Sequence, residues 1–240
     1  MRLVVVLCIY LLTFTAGAAE LRVACAANFY PTLNKIRLEF ERNSGHRIII
    51  IRGSTGKLYA QILHGAPYDI FLSADSERAD KLVAQGKSAD NKSRVYATGQ
   101  LALWRPGEKN AEQIIGRLRS GEFNKLAIAN PKTAPYGTAA VETLKSLQLY
   151  AAVKNKLVYG ENISQTLQFV QSGAADLGFV ARPHVKDEVF WSVGTDLYTH
   201  LDQKMVLLRQ TKQPQLANEF MQFMQSPQIK KIIQADGYLL

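Results

Sequence analysis

Only two cysteines, Cys8 and Cys25, occur in 240 residues. That excludes a disulfide-built scaffold and any cysteine-rich zinc or iron–sulfur site. Acidic residues are also few, 20 against 29 Lys and Arg, for a formal charge of +9. No apolar run reaches the roughly 20 residues that a membrane-spanning helix needs. Linkers rich in proline or serine, internal repeats and low-complexity stretches are all missing. The four histidines, at 46, 64, 184 and 200, are dispersed without metal-ligand spacing and read as surface or turn residues. Neither H-E-x-x-H nor G-x-S-x-G occurs. Basic residues are scattered singly, Lys230-Lys231 being the longest run, and no helix-turn-helix or zinc finger is recognisable, so a nucleic-acid partner is not expected. What remains, 47% hydrophobic and 20% charged, is the composition of a folded soluble protein of one or two domains.

The N-terminus assigns a compartment. Met1-Arg2 is a short positive region, Leu3–Phe14 is apolar, and Ala16-Gly17-Ala18-Ala19 supplies the small residues that signal peptidase accepts. Residues 1–19 are therefore expected to be a cleaved export signal, leaving a soluble periplasmic chain from near Glu20. An uncleaved anchor is the alternative, and the apolar run is short for one. Cys8 lies inside that run rather than after it, against a lipoprotein site. Cys25 is then alone, a small hydrophobe rather than half of a bridge.

From there on, short apolar runs alternate with helical patterns, the mark of βα units. Strands are expected at Leu21–Ala26, Arg47–Arg52, Asp69–Ala74, Gln100–Trp104, Lys125–Ala129, Leu157–Tyr159, Asp176–Val180 and Lys204–Arg209. The β-branched run RIIIIR at 47–52 reads as buried on both faces, as in a parallel sheet. Phe29, Leu33, Ile36 and Phe40 recur at helical spacing, and Gly45 stops that helix. Further helices are expected over Ser76–Gln85, Gly137–Leu147 and Ser164–Gln171, with two more either side of Pro227. About ten strands suit two α/β domains better than one sheet. With no linker to mark a boundary, the chain is expected to cross between domains through strands. Residues 20–99 plus 195–240 would form a discontinuous first domain, and 100–194 the second.

Four strand ends share one chemistry. The first strand leads into Ala27-Asn28, the second into Gly53-Ser54-Thr55-Gly56, KLAIA into Asn130–Gly137, and LVY into Gly160–Ser164, each followed by a helix. Ligands of α/β sheets sit beyond the carboxyl ends of strands, where helix N-termini present free N–H groups. Each N-terminus acts like roughly half a positive charge, so four together oppose about two negative ones. Such a lining binds a small dianion without burying a bare Lys or Arg, whose desolvation is costly. Any single junction is equally what helix caps and turns prefer.

The stretches VACAANF (23–29), GSTGKLYAQI (53–62), GAPYDIFLSAD (65–75), NPKTAPYG (130–137), SGAADLGFV (172–180) and ADGYL (235–239) resemble the periplasmic molybdate-binding proteins of ATP-driven (ABC) importers. The resemblance runs from about Leu21 to the C-terminus. It implies a periplasmic-binding-protein type II fold, two α/β domains joined by crossing strands. By motif, the anion positions it implies are Ala27 and Asn28, Ser54 and Thr55 with Thr55 the preferred direct ligand, and the backbone N–H groups of Tyr136 and Ile163. Relatives carry Ser or Thr where this chain has Ala27, and some carry Tyr where it has Ala181. These departures reduce the number of side-chain donors.

The expected function is capture of molybdate or tungstate and delivery to the membrane subunits of an ABC importer, by a monomer without cofactor, catalysis or a metal other than the one in the oxyanion. Molybdate, tungstate and sulfate only accept hydrogen bonds, whereas hydrogen phosphate also donates one and calls for an acceptor such as a carboxylate. None of the implied positions is acidic. Sulfate is the rival anion. An enzyme reading has one foothold, Ser54 and Lys57 in an S-x-x-K pattern of serine hydrolases, without the S-D-N or K-T-G that accompany it. A nucleotide phosphate loop fails because Ile51 stands where its first glycine belongs.

Overall fold

A computed structural model describes residues 18–240. Most of the export signal expected over 1–19, Cys8 included, lies outside the described residues. The first half of the chain runs β1 (Glu20–Ala26), α1 (Tyr30–Ser44), β2 (Arg47–Gly53), α2 (Thr55–Leu63), β3 (Ile70–Leu72), α3 (Ser76–Ala84) and β4 (Ser88–Gly99). Next come β5 (Leu101–Trp104), α4 (Ala111–Ser120), β6 (Leu126–Ala129), α5 (Pro135–Ser146), α6 (Tyr150–Val153), β7 (Leu157–Gly160), α7 (Ile163–Gln171), β8 (Leu177–Ala181) and β9 (Phe190–Ser192). The chain closes with β10 (Leu201–Leu208), α8 (Pro214–Met224) and α9 (Pro227–Ala235).

These strands form two five-stranded mixed sheets, ordered β2-β1-β3-β10-β4 and β7-β6-β8-β5-β9. In the first, β1 pairs in parallel with β2 and β3, and β10 runs antiparallel between β3 and β4. The second repeats the plan, with β6 parallel to β7 and β8 and β5 antiparallel between β8 and β9. The result is two α/β lobes of the periplasmic-binding-protein type.

Each sheet is covered on both faces. Leu33, Ile36 and Phe40 of α1 pack with Phe220 of α8 and with Ile229 and Ile233 of α9 over one face of the first sheet. The rings of Phe40 and Phe220 meet edge to face at 5.1 Å. Leu58 and Ile62 of α2 and Leu82 of α3 cover the other face. In the second lobe Ile114, Leu118 and Leu144 lie on one face and Val170 on the other. Each such side chain contributes roughly 1.5–3 kcal/mol when fully buried.

Two sequence expectations change, and no expectation covered the edge strand β4. The RIIIIR strand is not buried on both faces: β2 is an edge strand, and of its isoleucines only Ile48 is buried. The polar strand β4 carries no apolar alternation because it occupies the opposite edge, and its first eight residues are largely solvated. The two crossings between lobes also differ. The forward one passes from β4 to β5 through Gln100 alone, whereas the return, residues 193–200, is a run of turns. There the carboxylate of Glu142 accepts from the Thr199 N–H at 2.7 Å, doing the work of a ladder partner.

Candidate functional site

Beyond the carboxyl ends of the parallel strands, a cavity lies between the lobes. It is lined by Ala26, Ala27 and Asn28 before α1, by Ser54 and Thr55 at the start of α2, by Ala134, Pro135 and Tyr136 at the start of α5, and by Asn162 and Ile163 at the start of α7. Ala74, after β3, completes the wall. All six residues singled out from the sequence, Ala27, Asn28, Ser54, Thr55, Tyr136 and Ile163, thus line one space, two helix starts from each lobe. The space is tight: about 10 Å³ is open to the centre of a water molecule, near the lower limit for holding a single water.

The local chemistry follows from how these helices begin. An α-helix leaves its first N–H groups without partners, and a side-chain cap ordinarily takes one or two of them. At α3, α4 and α9, away from the cavity, the cap side chain does so. No side-chain cap closes α1, α2 or α5. At α7 the side-chain Oδ1 of Asn162 accepts from the N–H groups of Ser164 and Gln165, at 3.0 and 3.1 Å, and passes over Ile163. The backbone N–H groups of Asn28, Thr55, Tyr136 and Ile163 therefore have no acceptor among the described residues.

The side chains sort themselves by their partners. The Ser54 hydroxyl is buried without any hydrogen-bond partner. The Thr55 hydroxyl accepts from the Ala74 N–H at 3.3 Å, which leaves its proton free to donate. Asn28 turns its amide away from the cavity, donating to Gln203 Oε1 at 2.9 Å and to the Tyr238 hydroxyl at 3.2 Å. Ala27 differs from its expected role: its N–H donates to the Gly53 carbonyl at 2.9 Å, so it contributes a methyl wall and no donor. Burial pushes the Tyr136 phenol far above the ordinary tyrosine range, so it stays protonated, and it points to Gln203 rather than into the cavity.

Charge is kept at the rim. No carboxylate, ammonium or guanidinium lines the space. Lys57 pairs with Glu161 of the opposite lobe at 2.8 Å. That pairing leaves Lys57 Nζ without a bond to Ser54, and a Ser–Lys nucleophile requires one. Among the described residues no group of three or more His, Cys, Asp or Glu could hold a metal ion.

The lobes are drawn together around this space. Gly56 N–H donates to the Thr133 carbonyl at 2.8 Å, and the Ser164 hydroxyl donates to the Ala27 carbonyl at 3.2 Å. His184, read from sequence as a surface or turn residue, sits in a short turn and places Nε2 2.9 Å from the Asn28 carbonyl of the other lobe. Facing a carbonyl, Nε2 carries the proton, and Nδ1 is buried with no partner. Burial, with Arg52 nearby, holds this imidazole below its ordinary pKa. Nothing in the local sequence signals this contact, because Asn28 and His184 are 156 residues apart.

Residues 21–239 match the family model described as bacterial extracellular solute-binding protein. The chain is 42% identical to the molybdate-binding protein ModA of Azotobacter vinelandii, over 99% of this chain and 96% of that one. It is 36% identical to ModA of Rhodobacter capsulatus, over 95% and 91%. The solved periplasmic molybdate-binding protein of Azotobacter vinelandii superposes with a TM-score of 0.87 at 35% identity, covering 92% of this chain and 99% of that one. The sulfate-binding protein SubI of Mycobacterium tuberculosis, at 13% identity and a TM-score of 0.73, shares the fold alone. With the cavity, the paired sheets and these matches together, the chain belongs to the bacterial extracellular solute-binding protein family, in its ModA branch.

Proposed function

We propose that this protein is exported to the periplasm, closes as a monomer on molybdate or tungstate, and delivers it to the membrane subunits of an ABC importer. The observation that carries the reading is the cavity's lining: four helix starts, two hydroxyls and no charged side chain. Four N-termini oppose about two negative charges. Donors are the N–H groups of Asn28, Thr55, Tyr136 and Ile163 and the hydroxyls of Ser54 and Thr55, with Ala27 as wall. No bond is made or broken. Binding energy comes from charge-assisted hydrogen bonds in a space that excludes water, where each is stronger than in solution.

Selectivity follows from the same lining. Hydrogen phosphate brings a proton that needs an acceptor, and the cavity has no carboxylate to offer one. Sulfate differs from molybdate chiefly in size, and the choice of molybdate rests on the relatives at 42% and 36% identity, both named for it. Residues 20–99 with 195–240 would be one moving domain and 100–194 the other, hinging at the two crossings, Gln100 and residues 193–200.

Isothermal titration with molybdate, tungstate, sulfate and phosphate tests the reading. The expected result is a molybdate Kd at or below about 1 μM, roughly −8.2 kcal/mol, with no measurable phosphate heat. Molybdate binding weaker than that, or phosphate binding as tightly, overturns it.

A further inference from the structure

Gln203 is fully buried on β10 and stands where the two lobe-to-lobe crossings converge. It faces Ala97 of β4, and the ladder slips between Gln203 and Lys204, which faces Val95. Tyr96 is the extra residue of this bulge, a device that re-aims side chains. Its hydroxyl reaches Gln203 Oε1 at 3.0 Å. The same oxygen accepts from Asn28 Nδ2 at 2.9 Å, while Gln203 Nε2 donates to the Tyr136 hydroxyl of the other lobe at 3.5 Å, the long end of the hydrogen-bonding range.

Gly99, the last residue of β4, forms the floor of the same socket. A Cβ there would stand 2.3 Å from the Tyr136 hydroxyl and 2.7 Å from Gln203 Nε2. Tyr136 therefore serves two places at once. Its N–H faces the cavity, and its phenol sits between the strand that leaves the first lobe and the strand that returns to it. An amide suits the middle of this chain, since it accepts on one side from Asn28 and donates on the other to Tyr136.

We propose that Gln203 and Gly99 are positioning residues that dock the Tyr136 phenol and thereby couple lobe closure to the grip on the bound anion. The inference rests on the binding function proposed above. When the lobes part, the phenol leaves its socket and the Gln203 amide must find water. The docked phenol favours the closed state whether or not an anion is present, so losing it lowers the population able to retain cargo. The cavity donors themselves are unchanged.

A double-mutant cycle on the full mature chain tests this. Tyr136→Phe, Gln203→Met and the double variant would be compared by stopped-flow molybdate exchange and by small-angle scattering without ligand. Each single change is expected to raise the molybdate off-rate about tenfold, to leave the on-rate within about twofold, and to expand the ligand-free protein. The double variant should be no worse than the worse single one, because both remove the same contact. Gly99→Ala, whose methyl would fill the socket while both the amide and the phenol stay chemically intact, should raise the off-rate alike and stands in should Gln203→Met not fold. Off-rate effects that multiply in the double variant, or melting temperatures that fall with off-rates unchanged, overturn the coupling. Failure of the unaltered protein to bind molybdate overturns the binding function and this inference with it.

Discussion

The N–H of Gly56 donates to the carbonyl of Thr133 across the cleft at 2.8 Å, and a Cβ on Gly56 would stand only 3.0 Å from the Thr133 Cα and carbonyl oxygen. One lobe thus closes on the other through a backbone contact that leaves no room for a side chain.

Gly56→Ala separates closure from folding. Alanine favours the helix by about 1 kcal/mol over glycine, so the ligand-free protein should melt at the same temperature or higher. Its methyl props the cleft, and the molybdate Kd should rise at least about tenfold, about 1.4 kcal/mol. Calorimetry and thermal unfolding on the same sample check the opposite signs.

Ser54→Ala and Thr55→Ala should each weaken molybdate about 10- to 100-fold, the range for losing a hydrogen bond to a charged group, roughly 1.5–3 kcal/mol. They should differ in stability. Ser54 has no partner within the protein, whereas Thr55 holds the Ala74 N–H. Only Thr55→Ala should lower the melting temperature of the ligand-free form. Titration and melting curves of both variants decide it.

Lys57 and Glu161 are about half exposed, at 51% and 48% of their side chains. A pair so solvated is worth at most about 1 kcal/mol, so Glu161→Gln should change the Kd by less than about fivefold. Removing the carboxylate leaves Lys57 unopposed at the mouth, and the anion on-rate should rise at low ionic strength and lose that gain in salt. Stopped-flow rates at two ionic strengths test this.

His184 gives closure a pH dependence. Its closed-state pKa lies below the ordinary 6.5, because burial and then Arg52 oppose the imidazolium, while the hydrogen bond to the Asn28 carbonyl only partly offsets them. When the lobes part the ring regains water and its pKa rises, so the open form binds more protons. Closure is complete above 6.5 and weakens as the pH falls from there toward the depressed value. Molybdate affinity should fall across that window, and His184→Gln, which keeps a donor without titrating, should flatten the profile. A Kd series on both sides of 6.5 measures it.

Much of the fold is legible locally. The spacing of Leu33, Ile36 and Phe40 yields α1, and Gly45, at φ 71°, ends it in the left-handed region that glycine tolerates. Edge strands escaped or misled the reading, because β4 at 88–95 is polar, and β2 carries four consecutive isoleucines although at the edge only Ile48 is buried while Ile50 and Ile51 pack partly on the core. Helix α4 lies in a stretch for which no element is expected above, although its signals are present: Asn110 caps it, and Ile114, Ile115 and Leu118 form its buried side.

By itself the sequence determined the alternation of strands and helices and the four uncharged strand-to-helix junctions, since each depends on neighbours a few residues apart, while the six positions within them came from the resemblance to the molybdate-binding family. Only the tertiary structure decided that those strand ends face one another, that Ala27 spends its N–H on Gly53, and that Asn28, Tyr136, His184 and Gln203 meet between the lobes. Such contacts join residues up to 175 positions apart, and they exist because two sheets pack with their carboxyl edges opposed, a relation no local spacing encodes.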